Sequence, residues 1–162
     1  MGGYLKGVVS YLFIFCLITF ISAAGPTDSE LSGKGKCPVC GMFVSIFVVW
    51  NATIAFKDAN RATFDGSKCM FKYYLNIKKY DTAKNNADVT AVSVKDYYSK
   101  TSFDGRQAFF VIWSNVYGPM GHEPIPFEKE SDAKKFLKEH KGKKIIRFKD
   151  VDMKLIVSLD NP

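Results

Sequence analysis

Residues 124–148 read PIPFEKESDAKKFLKEHKGKKIIRF: an extended piece held by two prolines, then a helix, then a strand. Ser131 is placed to cap the helix DAKKFLKEHKG, whose apolar positions Ala133, Phe136 and Leu137 form one stripe. Gly142 ends that helix, and KKIIRF follows as a closing strand. Upstream, QAFFVIWSNVYG (107–118) has the composition of a strand. The first half of the chain has the same order. MFVSIFVVW (42–50) and ATIAF (52–56) flank Asn51 and predict a hairpin of β-branched and aromatic residues. Asp65-Gly66-Ser67 offers a helix start, and Cys69, Met70, Tyr73, Tyr74 and Ile77 recur at helical spacing. DVTAVSVKD (88–96) alternates apolar and polar residues like a half-buried strand. Phe64, a cap and a helix containing Phe71 parallel Phe127, a cap and a helix containing Phe136. Each half is strand–strand–helix–strand, a weak internal repeat, so the expected class is α+β with two related ββαβ units packed together.

The 162 residues suffice for one compact domain or two small ones, and 47% apolar with 15% aromatic residues supply a core. The net charge is +7, but the lysines are scattered, and the denser run Lys134 to Lys144 falls on the helix face and the turn after it. That is a solvated surface, not a nucleic-acid interface.

The N-terminus differs in kind. One positive charge (Lys6), the apolar run VVSYLFIFCLITFI and the small residues SAAG follow the order of a secretory signal peptide, with cleavage expected after Ala24. The alternative is a retained anchor, since Val8 to Ala24 spans about 26 Å as a helix. Cleavage removes Cys16 and leaves three cysteines, Cys37, Cys40 and Cys69. An odd number excludes a scaffold made only of disulfides. The expected organisation is a signal peptide (1–24), a polar linker (25–36), a first unit (37–97) and a second (98–157). The expected location is exported, periplasmic or attached to the outer face of the membrane through the N-terminal segment.

The sequence contains no Gly-rich phosphate loop, no Gly-x-Ser-x-Gly and no His-Glu-x-x-His. Of the two histidines, His140 ends a lysine-rich helix, and nothing specifies a Cys–His pair built on His122. The stretch CPVCGM (37–42) remains, with three readings. A redox Cys-x-x-Cys follows a strand and opens a helix, whereas this one follows a linker and precedes a β-rich run. A structural zinc site needs four ligands, and only Cys69 and His122 are left to complete it. The third reading adds Met42. In extended chain Cys40 and Met42 project to one side, and thiolate with thioether selects Cu(I). A second soft cluster lies in YGPMGHE (117–123), where Met120, between Pro119 and Gly121, serves no helix or strand stripe, and His122 follows.

These stretches, CPVCGM, TFDGSKCMFKYYL, AVSVKDYY and AFFVIWSNVYGPMGHEPIPFEKESDAKKF, resemble the NosL family of copper chaperones accessory to nitrous-oxide reductase. The resemblance runs from about Cys37 to Phe148. It implies an exported, non-enzymatic protein that binds one Cu(I) and delivers it to a client, nitrous-oxide reductase or its maturation machinery. It also implies two ββαβ units similar to part of the organomercurial lyase fold. By the resemblance the ligands are Cys40, with Met42 close by, and Met120; Cys37, Cys69 and His122 have no counterpart in it. Taken with the residue reading, Cys37 or Met42 is the third donor, and His122 and Cys69 are further candidates. Many family members are lipoproteins, and this sequence lacks that signal. The competing readings are a thiol–disulfide oxidoreductase or thiol-reactive enzyme using Cys37 and Cys40, and a zinc-stabilised interaction module.

Overall fold

The computed structural model describes residues 35–160, so the expected signal peptide and nearly all of the expected linker lie outside the described residues. Among the described residues no helix is long and apolar enough to cross a membrane. Among the described residues nine strands form three antiparallel sheets. In the first, β1 (Ala52–Phe56) lies between β2 (Arg61–Phe64) and β3 (Val89–Lys95), with β4 (Ser102–Asp104) outside β3. In the second, β5 (Phe109–Ile112) lies between β8 (Ile125–Phe127) and β9 (Lys144–Arg147). β6 (Tyr117–Gly118) and β7 (Gly121–His122) make a hairpin of their own. Helix α1 (Ser67–Tyr74) connects β2 to β3, followed by the short α2 (Ile77–Tyr80), and α3 (Glu130–Glu139) connects β8 to β9. Both larger sheets therefore place their first strand centrally and their helix between the second and third strands. β4 lies beyond residue 97 yet completes the first sheet.

Strand β5 shows how the two layers join. Its alternation turns Phe110 and Ile112 into the main core, where Phe110 meets Phe71 of α1 edge-on at 5.1 Å. Val111 faces the other way, into a smaller core with Ile125, Phe127, Ala133 and Phe136 of β8 and α3. The second sheet is thus covered on both faces, so β5 and β8 read as continuous apolar runs.

Several expectations fail for identifiable reasons. Residues 42–50 do not form a strand; Val44–Phe47 is a 3₁₀ turn. Both edges of β1 are already occupied by β2 and β3, so no partner edge is left for this stretch. It leaves Phe43, Ile46, Val48 and Val49 exposed. The strand expected over 107–118 ends at Ile112, because Trp113 takes a φ of +62° and turns the chain towards the hairpin. Ser131 does not cap α3, which begins at Glu130 with Lys129 as its uncapped boundary. Lys141, not Gly142, holds the left-handed position after α3 (φ +54°), and the Gly142 amide closes the end on the Leu137 carbonyl at 2.9 Å. Gly142 is needed for another reason: a Cβ there would lie 2.6 Å from Cγ1 of Val111. A last helix, α4 (Met153–Ser158), had no counterpart in the sequence reading; Asp152 caps it through the Leu155 amide at 2.7 Å.

Candidate metal centre

Residues 36–43 form a knuckle. The Cys37 amide donates to the Met42 carbonyl at 2.8 Å, the Gly41 amide donates to the Cys37 carbonyl at 2.9 Å, and Lys36 bridges Phe43. Gly41 closes the turn with φ +79°, a backbone region glycine enters without the Cβ penalty. The segment 40–42 is therefore not extended, and the alternation expected to align Cys40 with Met42 does not operate. The turn buries Cys37 and leaves Cys40 half-buried.

The other side of the site comes from the junction of β2 and α1. Asp65 precedes the extended cap residue Gly66 and Cys69 lies in the first turn of α1; both are buried and face the same cluster. The Sγ atoms of Cys37, Cys40 and Cys69 and a carboxylate oxygen of Asp65 all lie within 4.8 Å of one another. All three thiols are free. The Cys40 thiol lies 3.4 Å from Asp65 Oδ2, and Asp65 Oδ1 is buried without a hydrogen-bond partner among the described residues. Such orphans are uncommon in native interiors.

The thiols are unequal. The Cys69 thiol donates to Cys37, and with the amides of Asp65 and Cys40 it lowers the Cys37 pKa to about 6 against the opposing effect of burial. That same donated hydrogen bond, then burial, pushes Cys69 far up. Burial foremost raises Cys40 to about 11, with Cys37 and Asp65 adding to it. Cys37 is thus the thiol of the three that most readily gives up its proton, and an incoming metal must displace the protons that the others hold.

Met120 occupies the two-residue tip between β6 and β7. Its amide donates to Glu123 Oε1 at 3.3 Å, and its carbonyl accepts from the buried Lys68 ammonium. Glu123 Oε2 in turn accepts from the Lys68 amide at 2.7 Å. The tip is therefore fastened to the first turn of α1, one residue before Cys69. The Met120 side chain is half-buried against the core that contains Cys37 and Cys69, which corrects the expectation that a loop methionine between Pro and Gly has no core to serve. His122 does not join the thiol cluster; its ring sits 4.7 Å from Tyr117 and 5.7 Å from Trp113, with a buried, unpartnered Nδ1. Lys68 also binds Asp160 at 2.9 Å, so its charge is committed. Glu123 is fully buried, and burial raises it to about 7 despite the amides and charge of Lys68 and the Met120 amide.

Sequence reasoning missed Asp65, reading it only as part of a helix start. The sequence shows only a carboxylate four residues ahead of a cysteine at a helix start, a pattern it shares with ordinary helix starts. Cys69 belongs with Cys37 and Cys40, although the family resemblance offers it no counterpart.

The sequence model of the NosL family matches residues 28–156. No curated protein matches the chain. Among solved structures, the crystal structure of the copper chaperone NosL from Shewanella denitrificans superposes with a TM-score of 0.62 at 22% identity, covering 75% of this chain and 92% of that one. The solution structure of apo-NosL from Achromobacter cycloclastes gives a TM-score of 0.40 at 20% identity, covering 65% and 87%.

Proposed function

The chain belongs to the NosL family, and from that premise we propose that it is an exported Cu(I) carrier that hands its ion to a copper protein, nitrous-oxide reductase or a related client, without catalysing a reaction. The observation that carries the reading is the convergence of three thiols, Cys37, Cys40 and Cys69, from two separate segments. Soft thiolates bind Cu(I) strongly at low coordination number. Cys37 and Cys69 form the buried inner side of the cradle, and half-buried Cys40 is its exit, where a donor from the client can attack the ion while the others still hold it. Transfer is then ligand exchange, with no electron moved. Met120, tied to the first turn of α1, and Met42, at the end of the knuckle, are the thioether donors that complete the soft surroundings.

The decisive experiment is competition between the reduced protein and a Cu(I)-specific chelator. One Cu(I) per chain, retained against a large excess of Zn(II), is expected. Zinc retained in stoichiometric amount against Cu(I) would replace this reading with a zinc-stabilised module. The lowered Cys37 thiol favours the oxidoreductase reading. The Cys37–Cys40 pair, however, sits in a turn and not at a helix N-terminus, so an insulin-reduction assay should give a rate far below that of a thioredoxin.

A further inference from the structure

We propose that Asp65 gives the thiol cluster a second, four-coordinate state in which Cys37, Cys40, Cys69 and Asp65 hold Zn(II) until Cu(I) displaces it. The inference rests on the same cluster as the copper reading, and its test separates the two. Among the described residues the Asp65 side chain has no hydrogen-bond or ion-pair partner besides the thiols of the cluster. It is not the helix cap, which is Gly66, and the first-turn amide of Lys68 is taken by Glu123. The ammonium of Lys68 turns away to the Met120 carbonyl and Asp160. What faces Asp65 is sulfur: the Cys40 thiol on Oδ2 and the other two thiols within the 4.8 Å cluster, with Oδ1 left unpartnered in a side chain 0% exposed.

A carboxylate oxygen adds little to a soft monovalent ion but is an ordinary zinc ligand. Zinc prefers four ligands in a tetrahedron, at about 2.3 Å for sulfur and about 2.0–2.2 Å for oxygen, which sets donor separations of roughly 3.5–3.8 Å. From separations within 4.8 Å the four donors need to close by no more than about 1.3 Å to reach that arrangement. They also come in two pairs on well-defined backbone, the 37–42 knuckle and the segment that runs from Asp65 into the first turn of α1. In the exchange, Zn(II) binding releases the thiol protons to solvent. Cu(I) then keeps the three thiolates while Zn(II) departs and the carboxylate is freed. No oxidation or reduction occurs.

The test uses the full chain, purified in detergent and kept reduced. Zinc affinity is measured against a chromophoric chelator, Cu(I) affinity against a Cu(I) chelator, and zinc coordination by X-ray absorption. Wild type should bind one zinc with three sulfurs near 2.3 Å and one oxygen near 2.0 Å. Asp65→Asn, of the same size, should weaken zinc at least tenfold and change Cu(I) affinity less than threefold, whereas Cys69→Ser should weaken both. Equal zinc affinity in wild type and Asp65→Asn overturns the proposal. So does a wild type without stoichiometric zinc, or with four sulfurs around it. The absorption measurement needs no variant, so it decides the matter even if Asp65→Asn fails to fold. Zinc binding that depends on Asp65 with no Cu(I) binding at all would uphold this inference and remove the copper reading.

Discussion

At Met120 the side chain packs against the core that holds Cys37 and Cys69, while its amide and carbonyl are bound by Glu123 and Lys68. Packing and ligation therefore overlap in one residue. Met120→Ala should cost about 1–2 kcal/mol of stability, below the ~2–5 kcal/mol of a fully buried site because the residue is only half-buried. It should also weaken Cu(I) at least tenfold. Both are measured on one variant, by urea unfolding and chelator competition; a stability loss with unchanged copper affinity would leave Met120 a packing residue only. Glu123 gives a prediction in pH. Its folded pKa, about 7, lies above its ordinary 4.5, so the folded state binds this proton more tightly than the unfolded chain. Its contribution to stability therefore declines as pH rises from about 4.5 to about 7. Glu123→Gln should remove that decline, read as a difference from wild type in urea midpoints across the window. A constant difference would mean the carboxyl stays ionised throughout.

Among the elements, the start of α1 does the most for the site. The entry into α1 brings the Asp65 carboxylate and the Cys69 thiol to one cluster, and Glu123 and Lys68 hold the Met120 tip to its first turn. Helix α3 illustrates how close packing constrains an element end. A Cβ on Gly142 would meet Cγ1 of Val111 at 2.6 Å and the Leu137 backbone at 3.3 Å, and Val111 is a buried β-branched side chain on a central strand. Gly142→Ala should therefore destabilise by about 1–3 kcal/mol, seen as a lowered urea midpoint with unchanged slope. Copper and zinc affinities of the folded fraction should stay the same, because α3 lies in the smaller core, which contains none of the three thiols. A variant as stable as wild type would show that β5 and α3 can part at this point.

On the scale of the whole molecule, Asp96 joins the end of the first sheet to the second unit. Its buried carboxylate accepts from the amides of Tyr98 at 2.9 Å, Ser99 at 2.8 Å and Glu128 at 2.9 Å, and the neighbouring Tyr97 amide donates to the Pro126 carbonyl at 3.0 Å. Burial alone would raise Asp96, but these donors outweigh it and hold the carboxyl below its ordinary 3.8. The stability it supplies is fully present above the unfolded pKa and is lost as pH falls through the lower folded value. Asp96→Asn sets an amide donor against the amide donors and should cost about 1–3 kcal/mol at neutral pH. The gap from wild type should narrow in acid, below pH 3.8. A gap independent of pH would show that the charge of Asp96 does not join the units.

The sequence by itself determined the α+β class, the helices over Cys69 and Phe136 and the strands 52–56, 89–95 and 144–147, because hydrophobic period and turn chemistry are local. It also singled out CPVCGM and Met120, since clustered sulfur residues are visible one after another along the chain. It misjudged 42–50, whose β-branched composition suits a strand, because strand formation depends on a free edge elsewhere, and β2 and β3 had taken both edges of β1. The membership of the thiol cluster was likewise decided only in three dimensions. Cys69 and Asp65 stand more than twenty positions from Cys40, and nothing local distinguishes a buried helix-start carboxylate facing sulfur from an ordinary cap. Only the packing of the knuckle against the first turn of α1 brings the four donors within 4.8 Å.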